Sequence, residues 1–455
     1  MGIQRYDLII LGGDVASLEA ADYAERRGCR VALILPEDPL QPEATEPSEE
    51  PPTADGKTRD RSAATPEDSP SAAREAERSR FQRDIRARQA RLGLRLPPVD
   101  ACTFSPRVDV FRGQPAFYRH HTLVVGDREL AFRRAVIATG QTPGEIPLPG
   151  AQAVDCLRPE TLDTLEQWPS RLAVIGTDGE ACFWAQTLRR FGCEVYLTGC
   201  ADQLASRDAE AAHLLHDQLA ADGVRLQIGC TKIALEPMGH LTGVILKRAN
   251  EVEKLLVDRA LVVGHRRPRL DGLALRTAAV NSTDNGVGVD GKLRTSGRHV
   301  YAAGACCGSA LAPRPAAEAS ARLAVRNALS LLPRRLDETI IPHYAPTEPM
   351  FVQLGLSAEE IRERELQTRR FRIDLDEADE GVPVAHRRGF VAVDVLRRGG
   401  RIVGVTAVAH DADELVAPLE LLMMRGRTLG PLSRMVCCRP SRMALLARLA
   451  EQWSG

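Results

Sequence analysis

Two short turns in the chain have the spacing of a phosphate-binding loop, and each has an aspartate where that loop has a glycine. The first reads GGDVAS at residues 12–17, so Gly12, Asp14 and Ser17 hold the three positions of a G-x-G-x-x-G pattern. In that pattern the second glycine lets the backbone approach a pyrophosphate at the start of the following helix. A carboxylate there places negative charge where the phosphates would lie. The turn therefore predicts either a weakened dinucleotide site or a helix capped by Asp14 or Ser17.

The second turn, GTDGEA at residues 176–181, departs from the pattern in the same way. Gly176 keeps the first position, Asp178 replaces the second glycine and Ala181 replaces the third. The glycine that makes the turn is kept, and the glycines that serve phosphate binding and close helix packing are lost. For the first turn we favour the interpretation in which the helix start is satisfied by its own side chains.

The segments around both turns predict β-α-β units. Residues 6–11 form an apolar run, 18–27 form a periodic segment that Gly28 ends, and 30–35 form a second apolar run. The strand, turn, helix and helix-ending glycine signals all predict the same β-α-β unit. The segment 171–199 repeats this layout.

Other segments complete an α/β pattern. Short runs from residue 108 onward predict an antiparallel meander, which ends in a buried strand before Thr139 and Gly140. The strand HVYAAGACCG at 299–308 precedes a helical segment rich in alanine and arginine. Beyond Pro342 the pattern becomes α+β, with a capping box at 357–360 and two strands joined at Gly399 and Gly400.

Composition excludes several functional classes. The 455-residue chain has a formal net charge of -1, which gives no support to binding of nucleic acid or of an anionic membrane surface. Its first apolar run is too short for a signal peptide or a membrane span, so we expect a cytoplasmic protein. Eleven scattered cysteines without a C-x-x-C motif predict neither a disulfide framework nor a zinc site. Residues 36–80 are rich in Pro, Glu, Ser and Ala, and we expect a disordered or solvated insert that could contain a helix towards its end.

Together, the two β-α-β units, the ATG and YAAG strand ends and the α+β tail resemble the class I pyridine nucleotide-disulfide oxidoreductases. Dihydrolipoamide dehydrogenase, mercuric reductase and soluble transhydrogenase belong to that family. The resemblance implies an α/β fold with two Rossmann-like dinucleotide-binding domains, one of FAD type and one of NAD(P) type, and a C-terminal α+β dimerisation domain. It places the first part of the FAD-type domain at 1–150, the NAD(P)-type domain at 151–270, the second FAD-type part at 271–340 and the dimerisation domain at 341–455.

The resemblance also implies FAD and NAD(P) as cofactors and a homodimer as the assembly. It gives no indication of a small-molecule substrate or protein partner, and it assigns no catalytic residue and no metal ligand in this chain. On the family pattern, the residues that would contact the cofactors are Gly12, Gly13, Asp14, Ser17, Thr139, Gly140, Gly176, Gly304 and Ala305.

The residues that do chemistry in the family are replaced here. The acids that bind ribose hydroxyls correspond to Leu35 and Gly199, and the acid that binds the flavin ribityl chain corresponds to Ala305. No C-x-x-x-x-C dithiol occurs, and the C-terminal histidine and glutamate correspond to Arg439 and Ala444. Arginine does not exchange a proton near neutral pH. The sequence favours a diverged homologue that is inactive as a disulfide reductase and acts as a homodimeric binding or regulatory protein. The alternative is an FAD-dependent NAD(P)H oxidoreductase with a non-disulfide acceptor.

Two pairs of adjacent cysteines allow a further hypothesis. Cys306 and Cys307 follow the late strand, and Cys437 and Cys438 precede the position of the family histidine. In the family fold these two regions meet across the dimer, so the pairs could form a soft-metal site. Cysteines that simply fill the protein interior are the more common case.

We expect no disulfide reductase activity, because the sequence lacks both the thiol pair and the histidine that would exchange protons with it. Oxidation of NADPH or NADH with glutathione disulfide, lipoamide or mercuric ion should not exceed a control without enzyme. Turnover well above that control would contradict the prediction.

Overall fold

The computed structural model of the chain describes residues 4–36, 70–94, 104, 106–249, 251–377 and 387–453. Its strands are β1 (Gln4–Leu11), β2 (Val31–Leu35), β3 (Val108–Arg112), β4 (Pro115–Arg119), β5 (Thr122–Val125), β6 (Arg128–Ile137), β7 (Gln141–Pro143), β8 (Arg171–Ile175), β9 (Glu194–Gly199), β10 (Arg225–Ile228), β11 (Lys232–Met238), β12 (Leu241–Arg248), β13 (Glu251–Val257), β14 (Arg259–Val262), β15 (Arg266–Pro268), β16 (Ser282–Thr283), β17 (Gly286–Val287), β18 (Val300–Ala302), β19 (His343–Ala345), β20 (Met350–Gly355), β21 (Thr368–Asp374), β22 (Phe390–Leu396) and β23 (Ile402–Ala409).

Its α-helices are α1 (Val15–Glu25), α2 (Pro70–Leu92), α3 (Gly179–Arg190), α4 (Ala209–Ala221), α5 (Arg314–Leu329), α6 (Ala358–Glu363), α7 (Ala412–Met424), α8 (Gly430–Ser433) and α9 (Met443–Glu451). Short 3-10 helices lie at Ala151–Ala153, Pro159–Thr164, Leu275–Ala278, Gly304–Cys307, Ser309–Leu311, Glu338–Ile340 and Leu375–Glu377.

Two compact units account for the chain. Unit 1 consists of Met1–Gln141, Leu162–Glu166 and Pro268–Arg334, and unit 2 consists of Thr142–Thr161, Gln167–Arg267 and Arg335–Gly455. This division follows compactness and not cofactor type, so the four segments expected from the sequence stay a prediction.

Unit 1 is built on a mainly parallel sheet. Its strand order is β3-β2-β1-β6-β5-β4, and β18 also pairs with β6. The strands β1, β2, β3, β6 and β18 run parallel, whereas β4, β5 and β6 form the predicted antiparallel meander. The first predicted β-α-β unit is confirmed by β1, α1 and β2. Because the parallel strands share one direction, the segments after Leu11, Leu35, Ile137 and Ala302 meet at one edge of the sheet.

Helices α1 and α5 pack against each other in unit 1. Both present small side chains at the contact; for example, Ala16, Ala20 and Ala324 are fully buried. The 3-10 helix Gly304–Cys307 also lies close to α1, because a Cβ atom on Gly304 would lie 2.6 Å from the Cβ atom of Ala16. A larger side chain at either position would separate the helix from the sheet edge.

Helix α2 includes the last part of the predicted polar insert. Residues 37–69 of that insert lie outside the described residues. Although α2 is strongly polar, Ile85 and Gln89 on one face are buried. Arg86 Nε and Gln89 Nε2 donate to the two carboxylate oxygens of Asp163 at 3.0 Å and 3.3 Å. This buried face lies after the predicted insert, whose residues 78–80 are exposed, so the expectation of a solvated insert stays a prediction.

Three sheets of three or more strands lie in the described part of unit 2. A parallel sheet of order β10-β9-β8-β14 confirms the second predicted β-α-β unit, and β11-β12-β13 form an antiparallel sheet. The C-terminal sheet has the order β19-β20-β23-β22-β21. Its predicted connection at Gly399 and Gly400 joins β22 to β23, and the predicted capping box forms between Ser357 and Glu360. None of the helices in the described residues combines the length and the apolar character that crossing a bilayer requires.

Candidate functional site

The first glycine turn lies at the carboxyl end of β1, between β1 and α1. Gly12 has a φ of +139°, and a Cβ atom there would overlap the carbonyl of Ala138. Gly13 is close to the ring of Pro36, where a Cβ atom would lie 3.1 Å from Cδ. Gly12 is therefore required by the approach of β6 to the turn, whether or not a ligand is present.

Asp14 and Ser17 cap the start of α1 reciprocally. Ser17 N donates to Asp14 Oδ1 at 3.1 Å, and Asp14 N donates to Ser17 Oγ at 3.0 Å. Ser17 Oγ also donates to the backbone oxygen of Asp14 at 2.8 Å. A phosphate bound at this turn would use the N–H groups of the first helical turn, and one of them is already paired with the carboxylate.

The second carboxylate oxygen of Asp14 lies against two other predicted site residues. A Cβ atom on Gly140 would lie 2.5 Å from Asp14 Oδ2, and a Cβ atom on Gly304 would lie 3.9 Å from it. Gly140 and Gly304 both have positive φ angles, of +67° and +74°. The structure therefore brings the three strand ends together, and the Asp14 side chain occupies the space between them.

Burial raises the pKa of Asp14 to about 7, although the hydrogen bonds from the backbone of Ser17 and Ala16 and the positive charge of Arg269 act in the opposite direction. Removing a carboxylate from water disfavours its charged form, and these partners only partly compensate. Near neutral pH the group is thus divided between neutral and charged forms.

Thr139, Ala305 and Leu35, which also belong to unit 1, add no charged anchor for a cofactor. Thr139 is buried, and its hydroxyl has no hydrogen-bond partner in the part of the chain that the structure describes. Leu35, at the ribose-acid position, is buried and offers only hydrocarbon. Ala305 lies in the 3-10 helix after β18, where the ribityl acid of the family would be.

The second turn in unit 2 repeats the arrangement around Gly176. Asp178 caps α3, with Ala181 N donating to its Oδ1 at 2.8 Å. Gly199 holds the other ribose-acid position, and a Cβ atom there would overlap the side chain of Thr177. An acidic side chain at position 199 would therefore require Thr177 to move.

An arginine that sequence reasoning missed lies near the start of α3. Arg266 donates to both carboxylate oxygens of Glu180 at 2.8 Å and to Glu160 Oε1 at 2.5 Å. These pairs are well shielded, because the Arg266 side chain is only 18 % exposed. Burial, followed by the charge of Glu180, raises the pKa of Asp178 to about 6. The basic run HRRPR directly after β14, at the carboxyl end of a parallel strand, is the signal that could have indicated this cluster.

Neither turn keeps the residues that hold a dinucleotide in the family pattern. At each turn an aspartate takes the phosphate position and pairs with a helix N–H group, and the ribose acid is replaced by Leu35 or Gly199. Near α3 a second acid, Glu180, adds negative charge.

Family models match most of the chain. The pyridine nucleotide-disulphide oxidoreductase model matches residues 6–324, and the dimerisation-domain model of the same family matches residues 341–446. The mercuric reductase of Staphylococcus aureus is 26 % identical over 329 residues, which cover 71 % of this chain and 60 % of that protein. The dihydrolipoyl dehydrogenase of Thermus scotoductus is 27 % identical over 351 residues, covering 76 % and 75 %. The chain thus aligns with about three-fifths of the mercuric reductase.

Solved structures show the same fold. The Cu(II) complex of the HOCl-induced flavoprotein disulfide reductase RclA from Escherichia coli superposes with a TM-score of 0.77 at 19 % identity, covering 99 % of this chain and 100 % of that chain. LpdA from Mycobacterium tuberculosis gives a TM-score of 0.75 at 20 % identity, covering 99 % of each chain. At these identities the similarity supports the fold alone.

The raised pKa of Asp14 predicts a specific pH dependence of stability. Unfolded aspartate titrates near ~3.9, so the folded state holds the proton more tightly than the unfolded state up to a pH of about 7. The contribution of Asp14 to the free energy of unfolding must therefore fall as pH rises from about 4 to about 7. Asp14→Asn keeps a capping oxygen but cannot ionise. Between these two pH values, we expect the free energy of unfolding of Asp14→Asn to rise relative to that of the wild type by on the order of 1 to 3 kcal/mol.

Urea unfolding of both proteins at several pH values measures this difference. Asp178→Asn is the matched control. Its free energy of unfolding should stop changing relative to the wild type near pH 6 instead of pH 7, because the pKa of Asp178 is raised only to about 6. A difference between Asp14→Asn and wild type that does not change with pH would show that Asp14 is ionised throughout.

Proposed function

Because the chain belongs to the pyridine nucleotide-disulphide oxidoreductase family, we propose that it is a diverged member that does not catalyse disulfide reduction and acts as a homodimeric binding or regulatory protein. The observation that carries this proposal is the position of the Asp14 carboxylate between Gly12, Gly140 and Gly304. The helix start that would anchor a phosphate is satisfied by the chain's own side chain.

The energetics support weak cofactor binding. At ~4 Å and an effective dielectric constant near 20, two like charges repel by about 4 kcal/mol. The attraction of a helix N-terminus for an anion is smaller, about 0.3 to 1 kcal/mol at an exposed site. Protonation of Asp14 relieves part of the repulsion, because its pKa of about 7 lies near neutral pH. Leu35 and Ala305 replace two acids of the family pattern. Each replacement would remove a charged hydrogen bond to the cofactor, which contributes ~1.5 to 3 kcal/mol to binding.

The absence of disulfide chemistry in this proposal follows from residue types. The sequence has no two cysteines in a C-x-x-x-x-C spacing, and Arg439 takes the position of the acid-base histidine. A guanidinium stays charged near neutral pH and cannot relay a proton to a thiol. These replacements support a function other than disulfide reduction.

One observation favours the second candidate, an FAD-dependent NAD(P)H oxidoreductase with a non-disulfide acceptor. The Thr139 hydroxyl is buried beside the site and has no hydrogen-bond partner among the described residues. Buried hydroxyls are normally paired, so a ligand or an ordered water is expected close to it. A water would satisfy the hydroxyl without any cofactor, and for that reason this candidate ranks second.

The homodimer is proposed through the C-terminal segment. The dimerisation-domain model matches residues 341–446, and helix α7 within that segment exposes large apolar side chains. Leu421 is 57 % exposed and Met424 is 56 % exposed. A second copy of the chain would remove these side chains from water.

Flavin content tests the leading proposal. The purified protein should carry well under one FAD per chain, because the Asp14 carboxylate opposes the pyrophosphate. Asp14→Gly combined with Leu35→Glu and Ala305→Asp should increase FAD affinity by at least about tenfold, which corresponds to ~1.4 kcal/mol. Asp14→Asn is the control that removes charge but keeps the side-chain volume. The visible flavin band and fluorescence titration with FAD measure both effects, and stoichiometric flavin in the wild type would promote the second candidate.

Light scattering tests the dimer. We expect the intact chain to have about twice the 49.6 kDa mass of one chain. Leu421→Glu with Met424→Glu should weaken association by at least about tenfold, since two charges would be buried without partners. Val252→Glu, an exposed apolar position outside the matched segment, is the control. A monomeric wild type at micromolar concentration would refute the proposed assembly.

A further inference from the structure

Two adjacent thiols lie at the same sheet edge as the Asp14 carboxylate. Cys306 and Cys307 end the 3-10 helix that follows β18, and their Sγ atoms are 4.0 Å apart. The backbone also approaches closely here, because a Cβ atom on Gly286 would overlap the carbonyl of Cys306. The two sulfurs are therefore held by a packed backbone segment and not by a free loop.

The two thiols differ in their exposure. Cys306 is fully buried, and its thiol donates to the carbonyl oxygens of Ile137 and Ala303 at 3.4 Å and 3.2 Å. Cys307 is half-buried, so a small reagent can reach the pair from its side. The hydrogen bond with Cys306, burial and the nearby charges of Cys306 and Asp14 hold the pKa of Cys307 well above its usual range. Cys307 is consequently a neutral thiol at physiological pH.

Closure of this pair into a disulfide is unfavourable. The Cα atoms of consecutive residues are ~3.8 Å apart, whereas disulfide-linked residues have Cα separations of about 4.4 to 6.8 Å. An atom with longer bonds to sulfur can bridge the two Sγ atoms with less distortion of the backbone. The geometry thus favours a bridging acceptor over a direct S–S bond.

We propose that Cys306 and Cys307 form a dithiol site that binds a soft acceptor bridging the two sulfurs, of the class of trivalent arsenicals. Soft acceptors prefer thiolate ligands. In the part of the chain that the structure describes, no group of three or more His, Cys, Asp or Glu residues is placed to hold a metal ion. An acceptor that needs only two protein ligands therefore suits the pair.

The reaction balances without a change of oxidation state. A monosubstituted arsenical, R–As(OH)₂, exchanges its two hydroxyl groups for the two cysteine sulfurs. Two As–S bonds form, two As–O bonds break, and the two thiol protons leave with the hydroxyl groups as two water molecules. Arsenic keeps its carbon substituent and remains trivalent, so no oxidant or reductant is needed. This inference does not depend on the proposed function, because it involves no cofactor and no partner.

Phenylarsine oxide tests the site on the full-length protein. The Cys437→Ser, Cys438→Ser double variant serves as the background, because it removes the other adjacent cysteine pair. We expect one phenylarsenic group per chain by intact mass, located on the tryptic peptide 299–322, whose only cysteines are Cys306 and Cys307. The adduct should resist glutathione, a monothiol, and be removed by 2,3-dimercaptopropanol.

Single substitutions show whether both sulfurs take part. In the same background, Cys307→Ser should lose at least about nine-tenths of the glutathione-resistant adduct, and Cys306→Ser should behave alike. Cys200→Ser, which removes an exposed cysteine outside the pair, should retain the adduct. Circular dichroism checks that each variant is folded. Because Cys307 is half-buried, its serine variant provides the decisive result if Cys306→Ser does not fold.

No adduct on peptide 299–322, or an adduct that persists in Cys307→Ser, would overturn the proposal.

Discussion

The reciprocal capping of α1 by Asp14 and Ser17 is the interaction on which the first unit depends. A helix start in a Rossmann-like turn leaves backbone N–H groups that require an acceptor. In a cofactor-binding member of this fold, a phosphate can supply it. Here the acceptor is Asp14 Oδ1, covalently part of the chain. The strand edge, the turn and the helix can therefore form one stable arrangement without any bound anion.

Asp178 caps α3 as Asp14 caps α1, so in both β-α-β units an aspartate of the chain accepts a hydrogen bond from the helix start. At α3 the concentration of acids is higher, since Glu180 follows the cap, and Arg266 offsets it through a bidentate pair. A buried arginine with two carboxylate partners is favourable only when its hydrogen bonds are well formed. The Arg266 cluster thus allows acidic residues to remain at a helix start that would otherwise attract an anion.

The glycines of the family pattern persist here for packing reasons. Gly12 avoids the carbonyl of Ala138, Gly304 avoids the Cβ atom of Ala16, and Gly140 leaves space for the Asp14 carboxylate. Glycines at these positions can therefore indicate close backbone approach in the fold without indicating a bound dinucleotide. The side chains between the glycines, which are Asp14, Leu35 and Ala305, determine whether a cofactor fits. Cys306 and Cys307, in the 3-10 helix after β18, place two thiols at the same edge.

The sequence by itself determined the β-α-β units, the family and the capacity of Asp14 to cap a helix, because strand, turn and helix signals are local and repeat along the chain. It did not determine that Asp14 Oδ2 lies against Gly140, that Arg266 reaches Glu180, or that Ile85 and Gln89 of the polar helix α2 are buried. Those contacts join residues far apart in the chain. Only the pairing of parallel strands and the packing of helices on them set such distances, so only the tertiary structure decided how the two turns are filled.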